Sequence, residues 1–245
     1  MKNTKVSNST INVRLNALNR YYKFLERKKY YSDFVHRDLF KNPIDFKFNI
    51  KINDTEAKPI AVHELDSLVE YLQGHVDETS HIIAMLFIAG FGIKASQLYR
   101  IRKSHIKFQN DNKRNEHLIL SFQPGGQNVN LIQFILPSFN NHIKSYLSEK
   151  RLEEFLFTTS IERAVQYELK RFSKFYGEPI KTINLRQLFA SLLFCAIKSK
   201  HYVSDKLMFK NPKTINRYID PNPLHFATAN TDLVFILRGF NELPI

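Results

Sequence analysis

The turn Gln123-Pro124-Gly125-Gly126-Gln127-Asn128 separates two short runs, 117–122 and 129–136, whose residues suit strands better than helices. Pro and Gly at the reversal, with apolar residues on either side, specify a β-hairpin. Nearly every other periodic stretch carries its apolar residues at helical spacing. One hairpin among helices cannot build a doubly wound parallel sheet or a sandwich. The expected class is therefore mainly α with a small antiparallel β-sheet (α+β).

Along the chain, Ser9-Thr10 can cap a helix whose Ile11, Leu15, Leu18, Tyr22 and Leu25 form one apolar stripe, with Arg14, Arg20, Lys23 and Arg27 on the other face. A second short helix fits 33–40, before Asn42-Pro43. Residues 44–60 alternate apolar and polar and then turn polar, as an extended linker does. Helical spacing returns over 62–72. Ser80 can cap a continuously apolar helix that Gly90 and Gly92 interrupt, and 95–102 resumes as a short helix ending in Arg100, Arg102, Lys103 and Lys107. Further helices fit 137–147, 161–175 and 185–196.

The helix over 185–196 holds Leu185, Leu188, Phe189, Leu192, Leu193 and Ala196 at helical spacing, with Arg186 as the one charge in the run. An arginine is out of place in a core unless something there needs it. Beyond it, Asn211-Pro212 breaks the chain and starts a short helix carrying Thr214, Asn216, Arg217 and Tyr218. After Tyr218 the chain passes Pro221 and Pro223 to an apolar patch, 233–237.

Lys and Arg number 36 against 23 Asp and Glu, a formal charge of +13. Such an excess favours a polyanionic partner, nucleic acid ahead of an anionic membrane, although the lysine and asparagine bias of an AT-rich genome also produces it. The single cysteine, Cys195, excludes a disulfide within the chain and suits a reducing compartment. No apolar run is long enough to span a bilayer and the N-terminus lacks an apolar h-region, so a cytoplasmic, DNA-associated protein is expected.

Three boxes carry a family resemblance. Asn184-Leu185-Arg186-Gln187-Leu188-Phe189-Ala190 resembles the HxLRHTFA box of the tyrosine recombinases, or phage integrase family, and the stretch 207–218, ending in Asn216-Arg217-Tyr218, is similar to their LGHSSIQTTQRY ending. Upstream, Gly92-Ile93-Lys94-Ala95-Ser96-Gln97-Leu98 followed by Ile101-Arg102-Lys103-Ser104-His105-Ile106 resembles GLRISEL followed by LRWSDI. The resemblance implies a catalytic-core-like domain over 61–245 and, over 1–43, the last helices of a helical (SAM-like) core-binding domain whose earlier helices are missing. It implies double-stranded DNA as partner, and a homo-oligomer or related recombinase engaged through the C-terminal tail. No metal or cofactor is expected.

In that family a tyrosine attacks the scissile phosphate, forming a covalent phosphotyrosine and releasing a hydroxyl. By position Tyr218 matches the nucleophile and Arg186 the second arginine. Lys94 stands where the first arginine belongs, keeping the charge without the planar fork. Ile183 and Phe209 replace two proton-handling positions, and the hairpin turn offers Gln123 and Gln127 in place of the family's lysine. His105, Lys103 and Lys113 are nearby substitutes in principle. Arg100, Arg102 and Lys103, with Arg14, Arg20 and Lys23 on the first helix, are the expected DNA-contacting cations. Three readings remain open: a recombinase-like DNA-binding protein acting in recombination or integration for a mobile element with weak or no cleavage, an active divergent recombinase using Tyr218, or a basic regulator of unrelated fold.

Overall fold

A computed structural model describes residues 58–76, 78–110, 116–122, 130–136 and 139–220, with Val13, Arg14, Ala17, Leu18, Arg20 and Tyr21. The chain divides into two compact units, Met1–Thr55 and Glu56–Ile245. In the first, the six described residues are helical and exposed. Lys23, the expected helix over 33–40, most of the expected linker, Lys113, the hairpin turn with Gln123 and Gln127, and the apolar patch 233–237 lie outside the described residues.

The larger unit begins with α1 (Val62–His75), an amphipathic helix burying Val62, Leu65, Leu68, Val69 and Leu72. Its successor α2 (Thr79–Phe91) is buried from Ile82 to Phe91 on all sides, so other elements must wrap it completely. Ser80 does not cap α2; the helix starts one residue earlier, behind Glu78. Nor does Gly90 interrupt it. A Cβ at Gly90 would lie 1.8 Å from Cε2 of Phe134. The missing side chain is the space that the Phe134 ring fills, and the Phe91 ring packs against that ring at 5.0 Å. Gly90→Ala is therefore expected to destabilise the unit by about 1–3 kcal/mol through overpacking, read as a lower denaturation midpoint at unchanged slope.

Past Gly92 the expected short helix is a 3-10 turn, Ala95–Arg100. It stops short of residue 102 because the chain pairs there with another segment: Arg102 and Phe155 form an antiparallel bridge, and the Leu156 amide donates to the Ile101 carbonyl at 2.8 Å.

The sheet has three antiparallel strands in the order β1 (Ile106–Asn110), β2 (Glu116–Phe122), β3 (Asn130–Gln133). Ile106 pairs with Leu120 and Leu120 with Ile132, which places one apolar residue from each strand side by side. Only Ile106 of β1 is buried. Three helices follow, α3 (Asn140–Ser148), α4 (Ile161–Tyr176) and α5 (Thr182–Ile197), then the short α6 (Lys200–Lys206) and a 3-10 turn, Pro212–Arg217. Helices α2 and α5 pack together as the centre of the core. No helix among the described residues is long and apolar enough to cross a membrane.

Candidate functional site

Helix α5 buries Arg186, Gln187 and Ser191 among leucines and phenylalanines. A buried polar group without a partner costs more than its hydrogen bond returns, so the partners explain why these residues are tolerated. Gln187 donates from Nε2 to the Arg217 carbonyl at 2.8 Å and accepts the Lys58 amide at Oε1 at 3.2 Å. Ser191 Oγ donates to the Tyr218 carbonyl at 3.4 Å and accepts the Asp220 amide at 2.8 Å. One face of α5 thus holds the backbone on both sides of Tyr218. The turn leading there starts at Asn211, whose side chain accepts the Lys213 amide at 3.0 Å, with Pro212 at the first helical position.

Arg186 is tied into the core by its main-chain partners. Its Nε donates to the Gly92 carbonyl at 2.6 Å and Nη2 to the Leu207 carbonyl at 2.7 Å. The guanidinium carbon lies 5.0 Å from the centre of the Phe209 ring and 5.3 Å from that of Tyr218, and the two rings are 4.7 Å apart. Aromatic faces are favourable surroundings for a desolvated cation. Burial pushes the pKa of Arg186 down, and interaction with the Tyr218 hydroxyl works against that shift. Gly92 presents its carbonyl from a left-handed conformation, φ 67°, that ends α2. A Cβ there would come within 2.4 Å of Phe189 and 2.7 Å of Leu207, so this position needs glycine twice over.

An open pocket of about 220 Å³ gathers Lys94, Arg186 and Tyr218 on one lining, with Ser96, Ile183 and Glu162 beside them. Lys94 is exposed at the start of the 3-10 turn after Gly92. Ile183, in the first turn of α5, is 42% exposed, an apolar side chain at the pocket lining. Phe209 is half-buried against Arg186 and Tyr218 and supplies no polar hydrogen. Arg186 and Tyr218 therefore meet in one pocket, whose lining also holds the side-chain donors of Lys94, Ser96 and Thr182 beside the apolar Ile183.

Of the substitutes suggested for missing donors, His105 and Lys103, the two among the described residues, do not line this pocket. His105 accepts the Arg102 amide at Nδ1 (3.2 Å), and burial together with the Arg102 charge lowers its pKa. Lys103 donates from Nζ to the Lys150 carbonyl at 2.7 Å. Among the cations proposed for DNA, Arg102 reaches Glu153 Oε2 at 3.3 Å and lies 4.4 Å above the Phe155 ring, whereas Arg100 is exposed with its Nε donating to the Tyr99 hydroxyl at 3.0 Å. Arg14 and Arg20 are exposed on the helix of the first unit.

Sequence reasoning missed the residues that place the tyrosine. Gln187 and Ser191, one turn apart within an apolar helix, were a readable signal, because polar groups in such a run need partners. Asn184, at the start of the same helix, instead accepts the Lys181 amide at 2.8 Å and donates to the Lys58 carbonyl at 2.6 Å. Glu162 gave no signal. An acidic residue in the first turn of a helix is ordinary, and only the packing of α4 brings it to the pocket.

The Tn1549 transposon integrase in complex with circular intermediate DNA matches 98% of this chain and 82% of its own at a TM-score of 0.57 and 16% identity. The fold is tyrosine recombinase-like. XerA recombinase matches 76% of this chain and 66% of its own (TM-score 0.52, 13% identity). XerH site-specific recombinase bound to its difH substrate matches 66% (TM-score 0.51, 14% identity), and the match takes in 49% of the XerH chain, about half its length. No family model and no curated protein sequence matches the chain. At such identities the likeness is one of fold: mostly helical, with the small antiparallel sheet of a recombinase catalytic core. A basic regulator of unrelated fold is thereby removed from the three readings.

Proposed function

We propose that this chain binds double-stranded DNA through a recombinase-like fold, acts in site-specific recombination or integration, and cleaves strands weakly or not at all. The observation that carries the reading is the pocket in which Tyr218 and Arg186 meet Lys94 while Ile183 and Glu162 share the lining. A transition state spreading negative charge over phosphoryl oxygens needs fixed donors, and each missing donor costs roughly 3 kcal/mol, about a hundredfold in rate. Two of the Arg186 nitrogens already serve main-chain carbonyls, which limits what that side chain offers a phosphate. The charge of +13 supports a DNA partner, and XerH and the Tn1549 integrase were each solved bound to DNA.

The second reading, an active divergent recombinase forming a phosphotyrosine through Tyr218, is favoured by the two carbonyl contacts from α5, which would hold a nucleophile in place. In either case assembly on DNA with a second copy or a related recombinase, through the tail after Tyr218, belongs to the proposal. Affinity for duplex DNA should fall steeply with salt, by tenfold or more between about 50 and 200 mM, as phosphate-bound cations release counterions. Arg100→Gln should weaken binding across sequences and reduce the log-log salt slope by about 1. Binding that is flat across this salt range would end the DNA reading.

A further inference from the structure

We infer that the Glu162 carboxylate of this pocket opposes the seating of a DNA phosphate against Lys94 and Arg186. The inference rests on the DNA-binding reading above and goes beyond it. Glu162 stands in the first turn of α4 and lines the same volume as Lys94, Arg186 and Tyr218. A phosphodiester seated against Lys94 and Arg186 would share this open pocket of about 220 Å³ with the carboxylate. Like charges that share a partly desolvated site repel far more than they do in bulk water.

No ion pair links Lys94 to Glu162 among the described salt bridges. The polar contact that Glu162 makes is with its own helix, accepting from Gln166 Nε2 at 3.4 Å. This bond is long and exposed, so replacing the carboxylate leaves the core untouched. The competing explanation is that Glu162 merely complements the start of α4 electrostatically. In that case its removal changes stability slightly and leaves DNA affinity as it was.

Fluorescence anisotropy with random-sequence duplex DNA at low salt separates the two. Glu162→Gln should bind roughly tenfold more tightly than the unaltered protein. Glu149→Gln, the same charge change at an exposed position outside the pocket, controls for net charge and should gain much less. In a Lys94→Gln background the gain from Glu162→Gln should shrink, because both residues act on one phosphate. Glu162→Ala, measured alongside and checked by circular dichroism, covers the case in which the amide itself misfolds. Equal affinities for Glu162→Gln and Glu149→Gln overturn the inference and leave the DNA reading standing. A full gain that persists without Lys94 also overturns it. Absence of salt-sensitive binding by the unaltered protein overturns both.

Discussion

Arg186→Ala is expected to lower the stability of the larger unit by about 3–5 kcal/mol, among the largest losses available to a single substitution here. Removing a buried cation recovers its desolvation cost, which alone would be stabilising. Against this, the Gly92 and Leu207 carbonyls lose their donors at 2.6 and 2.7 Å. An orphaned buried carbonyl costs about 1–3 kcal/mol. The space between Phe209 and Tyr218 also empties, adding a cavity term. The losses exceed the recovery. Arg186→Lys should fall between, because one ammonium cannot span two carbonyls that a planar fork reaches together. Urea denaturation of the three proteins, with slopes compared as well as midpoints, measures this. An alanine variant as stable as the parent would mean that water replaces the guanidinium and that Arg186 is free for ligands alone.

Much of this architecture was legible in local pattern. The apolar run of α2, the break at Asn211-Pro212 and the misplaced Arg186 each follow from rules that act within a few residues. What the pattern could not supply depends on segments far apart in the chain. Gly90 reads as an interruption because its local propensity is poor, yet the Phe134 ring needs its bare surface. Strand β1 escapes notice because only Ile106 of its five residues is buried, leaving no alternation to see. The partners of Arg186 are main-chain carbonyls, one of them separated by 94 residues, and no side-chain motif announces a carbonyl. The boxes singled out Lys94, Arg186 and Tyr218; Gln187 and Ser191 are marked in the sequence only as polar residues in an apolar run, and Glu162 emerges only once α4 is packed.

Restoring donors to the pocket should raise covalent protein-DNA adduct sharply. Lys94→Arg returns a planar fork, Ile183→His adds a ring nitrogen at the mouth, and Phe209→His places one beside Arg186 and Tyr218. All three positions tolerate the change: Lys94 is exposed, Ile183 is 42% exposed, and Phe209 is only half-buried against the core. The triple variant should therefore keep most of its stability. With each donor worth about a hundredfold, the combined gain could approach 10⁴ to 10⁶ if the effects added, and interacting groups rarely add, so roughly a thousandfold is the expected rise. The measurement is the rate of phosphotyrosine formation on a nicked suicide substrate carrying the protein's own DNA site, once binding has defined it. Tyr218→Phe in the triple background should abolish the adduct, since on the proposed reading the phenol oxygen is the atom that would bond to phosphorus. Abundant adduct from the unaltered protein, lost in Tyr218→Phe, would show instead that the described pocket already holds the charge of the transition state and that the second reading is correct.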